Sequence, residues 1–165
     1  MTIDTLRRAF LFLLLCLAQV LVLNRIQLFH CATPLLYVYF VLMFPQGYPK
    51  WSILLWSFGM GLTVDMFSNT PGVASASLTL VGALQPYLLQ LFLPRDPEEH
   101  HPSSVVGLGW AKFFTLTCII VLLYCVVFFS VETFTFFNWI HWLSCVCGSA
   151  LLTILLIMTL ETIRG

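Results

Sequence analysis

The chain has 165 residues, 60% of them hydrophobic and 8% charged, with a mean hydropathy of +0.98. A soluble domain carries about 25% charged residues, and a soluble fold of this length could not hide so much apolar surface. The composition therefore excludes a soluble domain and points to one integral membrane domain, 1–165. Seven basic and seven acidic residues cancel, which removes the electrostatic case for nucleic-acid binding.

Arg7 and Arg8 precede an uncharged run over 9–24. Cys16-Leu17-Ala18 has the small-x-small form of a signal-peptidase site. The apolar run continues past it, so an uncleaved first span is expected. Bulky Leu14 and Leu15 before Cys16 argue against lipidation. Arg25 interrupts the chain, and a second apolar run follows over 26–44, with Gln27, His30 and Pro34 inside it. Pro45, Gln46, Gly47, Tyr48 and Pro49 make a loop that Lys50 closes. A third span is predicted over 51–67 and a fourth over 74–93, kinked at Pro86. Residues 94–112 form the one long polar segment, 113–131 a fifth span, and 132–138 an aromatic-rich loop. Residues 140–160 make a sixth span and 161–165 a short tail. Several of these runs approach the roughly 20 residues needed to cross a bilayer.

Six crossings put both termini on one side. With the N-terminus inside, Arg7, Arg8, Lys50, Arg95, Lys112 and Arg164 all fall inside, and Arg25 alone falls outside. That is the asymmetry the positive-inside rule requires. Trp51 and Trp110 then lie at the inner interface and Trp139 and Trp142 at the outer one, leaving Trp56 among the helices.

The stretch around which the rest is organised runs from 59 to 90. Asp65 sits at the end of an apolar helix, where translocon scales put an aspartate at about +2.5 to +3.5 kcal/mol if central. It therefore needs a partner or the interface. Ser57, Gly61 and Asp65 are four apart and share one helical stripe. Small residues on such a stripe let another backbone come close. Ser68, Asn69, Thr70, Pro71 and Gly72 end the helix. The six-span topology brings Arg25 and Asp65 to the same outer face. Two readings stay open: the two side chains pair, or both reach the headgroups. On the sixth span, Ser144, Gly148 and Leu152 form a second stripe, beside Cys145 and Ser149. Both stripes can serve partners or internal packing.

No catalytic constellation is present. His30 and His141 read as packed or interfacial, and His100 and His101, beside Glu98 and Glu99, as a solvated loop. The six cysteines, Cys16, Cys31, Cys118, Cys125, Cys145 and Cys147, lie in apolar segments and read as small core residues without metal-ligand spacing. There is no H-E-x-x-H, Walker A or G-x-S-x-G pattern, and one carboxylate in a span makes no aspartyl dyad. Gln19, Gln27, Asp65, Gln85 and Gln90 are a thin polar set for a transporter. No enzyme activity, cofactor or metal is expected.

The G-x-x-x-D pattern of Gly61 to Asp65, followed by Pro71-Gly72 and a small-residue helix start, resembles the rod shape-determining MreD family. So does the whole length, a short six-span chain without a soluble domain. The resemblance implies a multi-pass protein of the bacterial cytoplasmic membrane that takes part in cell elongation and peptidoglycan synthesis without catalysing a reaction. The implied partners are MreC, with RodA, a penicillin-binding transpeptidase and MreB, besides membrane lipids. The family's fold is similar to the substrate-binding subunits of energy-coupling-factor vitamin transporters. That similarity supplies the alternative, a small-molecule-binding membrane subunit. The residues expected to matter for partners or structure are Arg25, Ser57, Gly61, Asp65, Pro71, Gly72 and Gly148.

Overall fold

The computed structural model describes residues 2–22, 25, 34–44, 48–69, 71–92, 109–133 and 138–164. Among them every regular element is helical. Helices α1 (Thr2–Leu21), α2 (Val38–Leu42), α3 (Lys50–Ser68), α4 (Val73–Phe92), α5 (Trp110–Thr133) and α6 (Trp139–Arg164) follow in chain order. Two of them, α5 and α6, are long and apolar enough to cross a membrane. Less than half of each is buried within the protein, 44% and 33% over the most apolar window. The core helix of a soluble protein would be covered on most sides. Here Phe114, Leu122, Val126, Leu143, Leu151 and Leu155 stand on the outer surface. The same outward apolar pattern continues on α1 with Leu6, Phe10 and Leu17 and on α3 with Leu55, Phe58 and Leu62.

The five long helices enclose α2. Helix α3 packs against α4 and α1, α4 against α5, and α5 against α6, while α2 lies against α1, α3, α4 and α5 and reaches α6 through Tyr39 and Glu161. Every residue of α2 is buried. Pro86 lies inside α4 without ending it.

Where one continuous helix over 26–44 is expected, the described part, residues 34–44, has only the five residues of α2 in an α-helix. Pro34 gives the physical reason. A proline has no N–H to donate to a helical ladder, and its ring is incompatible with a helical carbonyl four residues before it. The backbone beside it leaves the helical ladder and is satisfied by side chains from elsewhere. Gln19 of α1 donates Nε2–H to the Pro34 carbonyl (3.0 Å) and accepts the Leu36 N–H on Oε1 (3.1 Å). Thr153 of α6 accepts the Leu35 N–H (3.0 Å). Residues 34–42 are all buried, so this irregular backbone is covered by protein.

Candidate functional site

The corner between α3 and α4 is built by one stripe of α3. A β-carbon on Gly61 would lie 2.7 Å from the Ser75 nitrogen and 2.8 Å from the Ala74 carbonyl oxygen. Only glycine lets the first turn of α4 approach this closely. One turn earlier, a β-carbon on Gly82 would lie 3.1 Å from the Ser57 β-carbon, so Ser57 meets a glycine of α4 in turn. One turn later comes Asp65. Its two carboxylate oxygens accept the N–H groups of Ala74 (2.8 Å) and Ser75 (2.9 Å). The first N–H groups of a helix have no partner inside it, and the positive end of its dipole favours an anion. A carboxylate from the preceding helix meets both needs. The glycine at 61 and the acid at 65 thus serve one contact: the first admits the helix start and the second caps it.

The turn has matching chemistry. Asn69 closes α3 in the left-handed conformation (φ 60°), with its N–H on the Asp65 carbonyl. Gly72, just ahead of α4, has φ +83°, which a side chain would resist. Pro71 and Gly72 are exposed, whereas Ser57, Gly61 and Asp65 are buried. Arg25 is exposed. On α6, Ser144 is exposed, Gly148 and Leu152 are half-buried, and Cys145 and Ser149 are buried.

A line of polar contacts runs through the bundle along residues 34–44. Beyond the Gln19 and Thr153 bonds, the Tyr37 and Tyr124 hydroxyls bond each other with their rings edge to face. The Tyr39 hydroxyl donates to Glu161 Oε2 at 2.6 Å, and Gln85 Nε2–H donates to the Phe44 carbonyl at 3.1 Å. Glu161 was expected in a terminal tail. It lies instead within α6 and is buried. Its signal was present in the sequence: Ser149, Thr153, Ile157 and Glu161 are spaced four apart, and all four are buried on one stripe.

At the end of the bundle opposite the corner, a half-open cavity of about 160 Å³ is lined by Asp4, Arg7, Arg8, Leu11, Phe40, Met43, Phe44 and Arg164. The Arg8 guanidinium lies 4.0 Å from the Tyr48 ring centre and 5.7 Å from that of Phe44. Arg164 Nη1 donates to the Tyr39 hydroxyl at 3.4 Å. In the sequence, Arg7, Arg8 and Arg164 bear on the orientation of the chain and carry no sign that they converge.

Groups of three or more metal-ligating side chains do not occur among the described residues. Cys16, Cys118, Cys125 and Cys147 are free thiols, but Cys145 is disulfide-bonded, which its reading as a small core residue did not anticipate. His141 is exposed and its Nε2 lies 3.7 Å from Cys145 Sγ. His30, His100, His101, Cys31, Gln27, Arg95 and the polar segment 94–108 lie outside the described residues. No protein-family model, no characterised protein and no solved structure matches the chain.

Proposed function

We propose that the chain is a non-catalytic subunit of the bacterial cell-elongation machinery, of the MreD kind. In this reading it crosses the cytoplasmic membrane six times with both termini inside and organises the proteins of peptidoglycan synthesis. The observation that carries it is how the interior polar groups are used. Asp65 caps α4, Gln19 and Thr153 support the backbone around Pro34, and Tyr37 bonds Tyr124. Each makes architecture, which suits a rigid scaffold better than an enzyme. The corner geometry also gives a physical reason for the glycine-to-aspartate spacing on which the resemblance rests.

The orientation has independent support. The ends of α1 and α6 that carry Arg7, Arg8 and Arg164 line one cavity, as common placement at a cytoplasmic surface requires. The disulfide-bonded Cys145 lies near the opposite end of α6, and disulfides belong to oxidising compartments.

With α4 covering Ser57 and Gly61, the surfaces left for partners are the exposed turn at Pro71 and Gly72 and the α6 edge at Ser144 and Gly148. MreC is the first partner expected there, with RodA, the transpeptidase and MreB in the same assembly. Gentle solubilisation from the native membrane, followed by mass spectrometry of what accompanies the protein, tests this reading. Recovery of MreC, RodA or the transpeptidase supports it. Recovery of an ATPase pair with a coupling membrane subunit would overturn it in favour of a vitamin- or metabolite-binding transporter subunit.

A further inference from the structure

The cavity at the arginine end is not needed by the scaffold reading. Arg7 and Arg8 come from α1 and Arg164 from the last turn of α6, so residues more than 150 apart in sequence converge on one opening (roughly the whole chain, as one folded domain allows). Three arginines against Asp4 leave two positive charges on the lining. Counting Glu161, which stands behind Tyr39, still leaves one. Two of the guanidiniums are held in place by the protein: Arg8 by the Tyr48 face and Arg164 by the Tyr39 hydroxyl. Such preorganisation lowers the ordering cost of binding an anion, and the planar fork of arginine fits phosphate oxygens two at a time.

The rest of the site is apolar. Leu11, Phe40, Met43 and Phe44 line the cavity wall. On the neighbouring face of α1, Ile3, Leu6 and Phe10 are strongly exposed. A cationic opening beside an apolar face, at the end read as cytoplasmic, matches a molecule with a phosphate head and hydrocarbon tails. Basic pockets between membrane helices on the cytoplasmic side take anionic headgroups. We infer that this cavity binds the phosphodiester headgroup of an anionic phospholipid from the inner leaflet, with Arg7, Arg8 and Arg164 on the phosphate and the outer face of α1 along the acyl chains. The inference rests on the membrane reading and is independent of the proposed role in elongation.

The test is native mass spectrometry of the whole protein in neutral detergent, titrated with dioleoylphosphatidylglycerol or dioleoylphosphatidylcholine. Arg7→Gln and Arg164→Gln are the variants, because both side chains are exposed; thermal unfolding checks that each is folded. Lys112→Gln is the control, an exposed cation outside the cavity lining. Phosphatidylglycerol should be retained over phosphatidylcholine. Each arginine variant should weaken it about fivefold, and the control should not. Equal retention by the arginine variants, or an equal loss in the control, would overturn the site. Displacement of the lipid by inorganic phosphate at matched concentration would make it a free-phosphate site instead. Displacement by a glutamate-rich peptide would make it a protein-docking site. Either result would overturn the lipid assignment.

Discussion

Replacing Asp65 by alanine removes both acceptors at the start of α4. The lost bonds are short, 2.8 and 2.9 Å, and end on Ala74 and Ser75, which are buried. Hydrogen bonds to a charged group contribute about 1.5–3 kcal/mol each, so the pair is worth roughly 3–6 kcal/mol. Alanine also removes the cost of burying the carboxylate, so the net loss expected is about 3 kcal/mol. Asparagine keeps one acceptor oxygen and turns donors toward the second N–H, so Asp65→Asn should lose about half as much. The assay is reversible unfolding in mixed micelles, titrated with sodium dodecyl sulfate and followed by tryptophan fluorescence. The order of stability should be wild type, then Asp65→Asn, then Asp65→Ala. An alanine variant within about 0.5 kcal/mol of wild type, the range of neutral surface changes, would refute the capping argument.

Gly61→Leu should prevent folding, because α4 backbone occupies the space its side chain needs. Gly59→Ala should be neutral or slightly stabilising, since among the described residues its β-carbon meets only the Phe12 ring, at 4.0 Å. Size-exclusion profiles of the two variants check the contrast. Tyr37→Phe and Tyr124→Phe should each cost about 1–3 kcal/mol by stranding the other hydroxyl. The double variant should cost no more than either, and a purely additive double-mutant cycle would show that the hydroxyls do not interact. For topology, an impermeant maleimide should label Asn69→Cys in intact spheroplasts, with native cysteines replaced, and reach Asp4→Cys only after lysis. The reverse pattern would invert the chain.

The corner was legible because its chemistry is local. A carboxylate at the end of an apolar helix demands a partner, and glycine four residues before it marks a close approach. What the pattern could not say was which backbone approaches, a partner's or the chain's own; the first turn of α4 holds that place at Gly61. Around Pro34 the reading went further from the structure. The run over 26–44 carries no charge on either side of Pro34, and a proline within such a run can kink a helix as readily as end it. The outcome depends on Gln19 and Thr153, which lie 15 and 119 residues away from Pro34 and do not announce themselves as its partners. Glu161 was misplaced because the apolar run ends at Leu160. Hydropathy sees only that end, whereas the four-residue spacing from Ser149 carries the buried stripe one turn further. The cavity was hidden for a similar reason: Arg7, Arg8 and Arg164 meet only after the bundle closes.

The most direct test of the proposed role is depletion of this chain from the cells that carry it, followed by microscopy of cell shape and labelling of new cell wall. The account predicts that rods widen and round up as lateral wall synthesis loses its pattern, and that a copy with Asp65→Ala fails to restore them. Cells that keep their width and wall pattern through depletion, and lose uptake of a small nutrient instead, would contradict it.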